Sequence, residues 1–248
     1  MRIIRCALAV GVLALTPISV VRAAEQVDLV LALAMDVSRS MEYPKFVLQR
    51  QGYAAAVTDP QVLKAIGSGP QQKIALCFID WSGGAEQKLI IDWNVIDSPE
   101  SAQRFADRIL AAPRSFNDRT SIGGGISFAA KQIARAPFQA ERQTIDVSGD
   151  GTNNSGRDVQ IARDEVVAKG INVNGIPILT DIRESRTPEH TNPPGGLEKY
   201  YRENVIGGPG AFVMVAEDFS SFGRAMVKKL IAEIAWSPAA RSRLASMR

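Results

Sequence analysis

Apolar residues along the chain form two kinds of pattern, and one of them predicts strands. Nearly continuous apolar runs are typical of strands that are covered on both faces, as in parallel sheets. The predicted third strand follows the second after the short link Ser82-Gly83-Gly84, which suits a hairpin, so we expect it to be an antiparallel edge strand. We predict six strands: residues 27–35, 74–79, 87–93, 144–148, 171–179 and 211–215.

Between these runs, apolar residues recur at helical spacing. Ser98-Pro99-Glu100 is typical of a helix start, with a capping hydroxyl, a proline in the first turn and an acid at the positive end. The last predicted helix has an apolar stripe, and we expect Lys228, Lys229 and Glu233 to point outward from it. We predict helices over residues 45–57, 98–110, 122–135, 158–169 and 219–234.

The alternation of strands and helices predicts the fold class. Elements in this order favour an α/β fold with helices on both faces of the sheet. We therefore expect a doubly wound, mostly parallel six-stranded sheet with one antiparallel edge strand.

The N-terminus has the features of a secretory signal. Arg2 and Arg5 form a positive segment, and residues 6–21 are apolar and uncharged. Small residues in Val21-Arg22-Ala23 suit signal cleavage, so we expect the mature chain to begin at Ala24. An uncleaved N-terminal anchor is the alternative. The signal predicts a periplasmic or secreted protein, and after cleavage we expect no stable membrane span.

This interpretation sets the domain bounds and the charge. We assign residues 1–23 to the signal peptide, 24–236 to one domain and 237–248 to a short basic tail. The chain has 29 basic and 26 acidic residues, and three of the arginines lie in the predicted signal, so the mature chain is neutral. This balance gives no reason to expect a nucleic-acid partner. Cys77 remains as a single cysteine in an apolar run, where we expect a buried thiol.

Oxygen-bearing side chains follow the ends of predicted strands. Asp36, Ser38 and Ser40 come directly after the first strand, and Asp150, followed by a glycine, ends the fourth. Thr120 lies at a loop-to-helix junction. Folds of this class place ligands at the carboxyl ends of their strands. Taken alone, the first group is equally typical of a helix cap.

The ordered set resembles the metal-ion-dependent adhesion site of the von Willebrand factor type A (vWA) family. In finer detail, Asp36-Val37-Ser38-Arg39-Ser40-Met41 and Ile145-Asp146-Val147-Ser148-Gly149-Asp150-Gly151 look like an uncharacterised family of exported bacterial proteins with this domain. The resemblance covers nearly the whole predicted mature chain. It implies a vWA (Rossmann-like) fold in which Asp36 and Asp150 converge and Thr120 reaches in from a neighbouring loop.

The resemblance also implies a metal site and its use. The family pattern supplies hard oxygen donors, which favour Mg²⁺ (or Mn²⁺ or Ca²⁺) over zinc or copper. Neutral hydroxyls leave the ion a residual positive charge and an open position, which a carboxylate of a protein partner can take. We expect an adhesion-type binding module and not an enzyme. The implied metal ligands are Asp36, Ser38, Ser40, Thr120 and Asp150.

Two other functions stay open. A metal-assisted hydrolase could use Asp36 and Asp150, and a structural vWA module could have a non-functional metal site. Arg39 keeps the second alternative open, because many relatives have a small residue there, and a cation could attract an acidic partner or obstruct its approach. We expect Asp146 to orient a metal ligand, with a hydrogen-bonded edge acid as the alternative, and Asp80 to lie near the rim of the site.

The loop of residues 181–196 leaves the carboxyl end of a strand, on the face where the metal is expected. It is either a specificity element, with Arg183 and Arg186 adding positive charge, or a mobile surface loop. We interpret His190, which lies in this loop, as a solvated residue, because a single histidine without a paired nucleophile is a poor catalytic candidate.

Overall fold

The computed structural model describes residues 24–235. The predicted signal peptide and the predicted C-terminal tail lie outside these residues. No helix between residues 24 and 235 is long and apolar enough to cross a membrane. In chain order the elements are β1 (Glu25–Gln26), β2 (Val30–Asp36), α1 (Tyr43–Thr58), α2 (Pro60–Gly67), β3 (Ile74–Trp81), β4 (Gln87–Ile96), α3 (Pro99–Ala111), α4 (Ile122–Ala134), β5 (Phe138–Gln139), β6 (Gln143–Gly149), α5 (Val159–Val167), β7 (Asn172–Pro177), α6 (Pro188–Thr191), α7 (Leu197–Tyr200), a π-helical turn (Tyr201–Val205) and α8 (Phe222–Ala235).

The main sheet has the strand order β4-β3-β2-β6-β7. β2 pairs in parallel with both β3 and β6, and β6 pairs in parallel with β7. β4 pairs antiparallel with β3 at one edge, so the predicted α/β fold and its antiparallel edge strand are confirmed. Met35 pairs with Ser148 in the β2–β6 register, which brings the ends of these two strands to the same edge of the sheet.

The sheet has five strands, and the predicted sixth, residues 211–215, is wrong as a strand. This segment does run beside β7, where Gly175 N donates to Phe212 O and Ala216 N donates to Pro177 O. In a regular parallel ladder, the backbone N–H of residue 177 would donate the hydrogen bond between these two. Proline has no backbone N–H, so Pro177 leaves only isolated bridges, at Val213 and Ala216.

Helices cover both faces of the sheet. The alternation of side chains along β2 directs Leu31, Leu33 and Met35 into one apolar core, and the residues between them into the other. The first core lies under α1, α2, α3 and α8, and the second under α4, α5 and the π-helical turn. β2 is fully buried as a result, which explains its continuous apolar run.

Helix α8 differs from its predicted orientation at two residues. Lys228 is exposed as expected, but Lys229 and Glu233 are buried. Lys229 Nζ lies 2.7 Å from Asp146 Oδ1 and also donates to Glu233, and Asn174 Nδ2 donates to Glu233 Oε1 at 2.7 Å. We call Asp146, Asn174, Lys229 and Glu233 the buried ion cluster. Asp146 in β6 supplies the anion that allows a lysine to be buried here.

Candidate metal site

The site forms where β2 and β6 end side by side. Asp36 is the last residue of β2, and Asp150 directly follows β6; both carboxylates are fully buried. Ser38 N donates to Asp36 Oδ1 at 2.7 Å, and Ser40 Oγ donates to Asp150 Oδ1 at 2.6 Å. Ser38 Oγ and Ser40 Oγ lie 3.2 Å apart. The turn after β2 therefore holds its two hydroxyls between the two carboxylates.

Thr120 reaches the same place from the segment that precedes α4. Its backbone N–H donates to Asn154 Oδ1 at 2.9 Å, and its carbonyl accepts from Asn154 N at 2.9 Å. This double contact ties the threonine loop to the loop that follows Asp150. Thr120 is buried and lines the same pocket as Ser40. All five residues predicted from the sequence thus lie at this end of the sheet.

The positive charge next to the two carboxylates is small, because the ion pair in the described residues is a long one between Lys45 and Asp150. Burial, and then the charge of Asp150, raise the pKa of Asp36 to about 8. Burial also raises the pKa of Asp150, although the hydrogen bond from Ser40 and the charge of Lys45 oppose this. No residue between 24 and 235 donates a hydrogen bond to Asp36 Oδ2 or Asp150 Oδ2, and Lys45 Nζ is 3.9 Å from Asp150 Oδ2. Such uncompensated burial is costly unless a cation binds there.

The donor types fit a hard divalent cation. Two carboxylates and three hydroxyls supply oxygen donors, the kind that Mg²⁺ and Ca²⁺ prefer. Among residues 24–235, no group of three or more histidine, cysteine or acidic side chains is placed to hold a metal ion. A cation here must therefore take part of its coordination from the hydroxyls.

Two residues that support the site had not been expected from the sequence. Arg114 Nη2 donates to Val37 O at 2.8 Å and also to Ser38 O, and so clamps the backbone of the turn after β2. Burial lowers the pKa of Arg114, although the charge of Asp36 opposes this. Tyr201, from the π-helical turn, is fully buried, and its hydroxyl has no hydrogen-bond partner in the part of the chain that the structure describes.

Gly149 leaves room for the tyrosine and the carboxylate together. A Cβ at this position would lie 2.8 Å from both Asp36 Oδ2 and the Tyr201 hydroxyl. Burial raises the pKa of Tyr201 well above its usual value, and the charges of Asp36 and Asp150 raise it further. The hydroxyl therefore stays protonated beside the carboxylates.

His190 contacts the site, so its interpretation as a solvated loop residue is wrong. The ring is partly buried, with Nε2 3.1 Å from Thr120 Oγ1 and Nδ1 3.1 Å from Thr152 Oγ1. Burial lowers the pKa of His190, while the charge of Asp150 opposes this. The loop of residues 181–196 thus folds back over the strand ends.

A pocket of about 400 Å³ opens above these residues. The loop of residues 181–196 forms one wall with Arg186 and His190, whereas Arg183 pairs with Asp181 at the surface. Arg39 lies on the rim with 74 % of its side chain exposed, 3.8 Å from an Asp118 oxygen. It therefore does not fill the space above the hydroxyls.

Asp80 and Asp146 have other partners. Asp80 is fully buried, and both of its carboxylate oxygens lie 2.9 Å from Arg50 Nη2. Asp146 belongs to the buried ion cluster, so its expected role beside the metal is wrong. Neither carboxylate is available to the site at the strand ends.

Comparison with known proteins gives a family and a fold. The family described as "Protein of unknown function (DUF1194)" matches residues 26–238. Proximal thread matrix protein 1 from the mussel byssus is similar in structure, with 16 % identity, a TM-score of 0.61, and coverage of 85 % of this chain and 48 % of that one. A second structure of that protein, described as having a zinc-occupied MIDAS motif, has 15 % identity, a TM-score of 0.59, and coverage of 85 % and 49 %.

Bacterial structures are similar as well. An aerotolerance-related membrane protein from Bacteroides fragilis has 18 % identity and a TM-score of 0.51, with coverage of 83 % of this chain and 99 % of that one. The pilus adhesin SpaC from Lactobacillus rhamnosus GG has 11 % identity and a TM-score of 0.57, with coverage of 84 % and 31 %. The chain spans about half the length of the mussel protein. These similarities show the vWA-like fold. A comparison with curated proteins found no match.

Proposed function

The chain belongs to the family described as "Protein of unknown function (DUF1194)", and we propose that it is a metal-dependent protein-binding module. One observation carries the proposal. Two fully buried carboxylates, Asp36 and Asp150, each have an oxygen to which no described residue donates a hydrogen bond, and hydroxyl groups lie beside them at the base of an open pocket. A divalent cation would supply the missing positive charge.

We propose that oxygen atoms of the site bind the ion. Hydroxyls are neutral, so two carboxylates offset the charge of a divalent ion only when both bind it closely. An ion held partly by hydroxyls stays electrophilic. Oxygen donors favour Mg²⁺ as the ion, with Mn²⁺ or Ca²⁺ as alternatives. The proposed ligands are Asp36, Ser38, Ser40, Thr120 and Asp150.

The partner we propose is a protein that presents an exposed carboxylate. The pocket of about 400 Å³ can admit an acidic side chain, and its lining includes the cations Arg39, Lys45, Arg119 and Arg186 and the acids Glu42, Asp118 and Glu184. Arg39 lies 3.8 Å from Asp118 and Arg186 lies 3.9 Å from Glu42, so the lining has one more cation than acids. These cations favour the approach of an acidic group. Structural neighbours described as a matrix protein and a pilus adhesin support an adhesion-type role.

We propose binding rather than catalysis. A metal-assisted hydrolase needs a free general base beside the ion. Asp36 and Asp150 are assigned to hold the ion, and both ring nitrogens of His190 are within hydrogen-bond distance of threonine hydroxyls. We also propose that the protein acts in the periplasm or outside the cell, which rests on the predicted signal peptide of residues 1–23.

Chelator-dependent capture tests the proposal. The mature protein is immobilised, and partners are recovered from an extract of the producing cell's envelope with Mg²⁺ or with a chelator. We expect partners that are lost with the chelator and with Asp36→Ala, but retained with Asp107→Ala, which removes an exposed acid on α3. Partners that survive both treatments would contradict a metal-mediated interface, and metal-dependent turnover of a test ester would favour the hydrolase.

A further inference from the structure

The position of His190 carries a further inference about the ion. The residue lies in α6, in the loop that follows β7, and its side chain meets the threonine of the candidate site. A histidine within a site of carboxylates and hydroxyls changes which ions the site prefers, because imidazole suits transition metals better than it suits Mg²⁺ or Ca²⁺.

The imidazole is held in place from several sides. His190 O accepts a hydrogen bond from Thr152 N at 3.1 Å, and His190 N donates to Thr187 O at 3.0 Å. A Cβ at Gly151 would overlap the ring, so the glycine after Asp150 leaves the space that the ring fills. The ring is therefore fixed by the same loop that carries one of the site's carboxylates.

The orientation of the ring matches that of a metal-binding histidine. Such histidines donate one ring N–H to a neighbouring acceptor, which fixes the tautomer and directs the other nitrogen's lone pair to the metal. In His190, Nδ1 lies 3.1 Å from Thr152 Oγ1, which can accept its proton, and 3.4 Å from Asn154 Nδ2. Donation from Nδ1 to Thr152 is the arrangement that leaves the lone pair of Nε2 free. Nε2 faces the Thr120 hydroxyl, which can donate to it as long as no ion is bound.

The spacing of the donor atoms also fits one coordination shell. With metal–ligand bonds of about 2.1 Å, neighbouring ligands of an octahedral ion lie about 3.0 Å apart. The Thr120 Oγ1 to His190 Nε2 distance is 3.1 Å, and the Ser38 Oγ to Ser40 Oγ distance is 3.2 Å. Each pair therefore has the separation of two neighbouring ligands of one ion. Because no three histidine, cysteine or acidic side chains among residues 24–235 already converge on a metal position, the ring must shift towards the carboxylates when an ion binds.

We propose that His190 Nε2 is a ligand of the cation, which rests on the metal site proposed above. The nitrogen donor shifts the preference of the site from Mg²⁺ towards transition ions such as Zn²⁺. It also ties the loop of residues 181–196 to the ion. Because Arg186 in this loop lines the pocket, the ion orders part of the surface that the partner meets.

Spectroscopy of the Mn²⁺-loaded mature protein tests the ligand directly. Electron spin echo measurements detect a nitrogen nucleus bound to Mn²⁺, and we expect that signal in the wild type. His190→Ala should abolish it. Glu189→Ala, which changes an exposed neighbour on the same short helix, is the matched control and should retain it.

Calorimetry with Zn²⁺ and Mg²⁺ tests the preference. We expect His190→Ala to weaken Zn²⁺ binding on the order of tenfold or more, since even the loss of a supporting group costs about tenfold. Mg²⁺ binding should weaken by less than about threefold, because Mg²⁺ gains little from imidazole. Gly151→Ala keeps the imidazole but fills its space, and should weaken Zn²⁺ binding in the same direction.

The outcomes separate this inference from the proposed function. If Mn²⁺ binds the wild type without a nitrogen signal, His190 only covers the site, which overturns the inference and leaves the binding module intact. If neither ion binds the wild type more tightly than it binds Asp36→Ala, the metal site itself is wrong. Should His190→Ala fail to fold, the wild-type signal and Gly151→Ala decide the question.

Discussion

In the buried ion cluster, Asp146 lies 2.7 Å from Lys229 Nζ, and both side chains are fully inaccessible to solvent. At the strand ends, Asp36 is equally buried, but none of residues 24–235 donates a hydrogen bond to its Oδ2, and Asp150 pairs with Lys45 Nζ at the longer distance of 3.9 Å. Burial raises the pKa of Asp146 to about 7 in spite of Lys229, and that of Asp36 to about 8.

The difference concerns where the positive charge comes from. The cluster under α8 contains its own cation, so removing that cation should harm folding whatever ions are present. The strand-end site holds a pair of carboxylates next to an open pocket and, in the function we propose, takes its cation from solution. The two regions should therefore respond differently to mutation and to added metal.

The largest effect should come from Lys229→Met. Removing one partner of a buried ion pair leaves uncompensated charge and costs about 3–5 kcal/mol. For a domain of this size that corresponds to a fall in Tm of roughly 6–20 °C. Lys228→Met, the exposed neighbour, should stay within about 0.5 kcal/mol of the wild type. Equal denaturation midpoints for the two variants would show that the cluster does not depend on Lys229.

The second effect is stabilisation by a divalent ion. An ion at one hundred times its Kd should raise the free energy of unfolding by about 2.7 kcal/mol, because it binds only the folded state. Thermal melts with Mg²⁺ or Mn²⁺ against chelator measure this shift. Asp36→Ala should abolish the shift in Tm. Lys229→Met should show the same shift as the wild type, although its Tm without metal is lower. An unchanged shift in Asp36→Ala would place the ion elsewhere.

Both regions should make stability depend on pH when the protein is metal-free, and Asp36 should contribute the larger part. Because the pKa of Asp36 is raised from 3.8 to about 8, the folded state holds a proton that the unfolded state has lost. The contribution of Asp36 to stability is therefore fully present below about pH 4 and is lost as pH rises towards 8. One proton contributes at most about 1.4 kcal/mol per pH unit.

Denaturation in chelator from pH 5 to pH 8 measures this slope. Asp146 contributes in the same direction, since its pKa is also raised, so the slope of Asp36→Asn should be smaller than that of the wild type but not zero. Added Mg²⁺ should stabilise the wild type more at pH 8 than at pH 5, because it binds the ionised carboxylates. A slope unchanged by Asp36→Asn would assign the pH dependence to the cluster under α8.

Most of the fold could be predicted from the sequence, because buried strands and amphipathic helices have distinct periods. The errors have local causes. Residues 211–215 are apolar enough for a strand, but the pattern does not show that Pro177 would face them and remove a donor. Lys229 and Glu233 follow Phe222 and Met226 at spacings of three and four residues, on the buried face of α8. We expected Lys229 and Glu233 to be exposed because they are charged, although their spacing places them on the buried face.

The sequence predicted the part of the candidate site whose residues come directly after strands. The order of Asp36, Ser38, Ser40, Thr120 and Asp150 could be found because strand ends in a parallel sheet converge. Irregular segments and short turns have no hydrophobic periodicity, so the sequence does not predict where their side chains lie. Three residues at the site come from such segments: Arg114, His190 and Tyr201. Gly151 gave only a weak signal, because a glycine after an aspartate has many uses besides making room for a ring.

The smallest effect on stability and metal binding should come from Arg39→Gly, which restores the residue type that many vWA relatives have between the two serines. Arg39 is 74 % exposed and its nearest acid is 3.8 Å away, so the change should alter stability by less than about 0.5 kcal/mol. Calorimetry should find a metal Kd within about twofold of the wild type, because a screened rim charge contributes little.

The charge of Arg39 should act on the partner instead. Rim charges steer association, so Arg39→Gly should slow the association rate of a partner recovered by chelator-dependent capture, and should weaken its dependence on salt. Surface-binding kinetics at two ionic strengths measure both. A faster association rate in Arg39→Gly would mean that the arginine obstructs the pocket. A large loss of metal affinity would mean that it supports the turn after β2, and Arg39 would then belong with the strand-end site rather than with the surface that the partner meets.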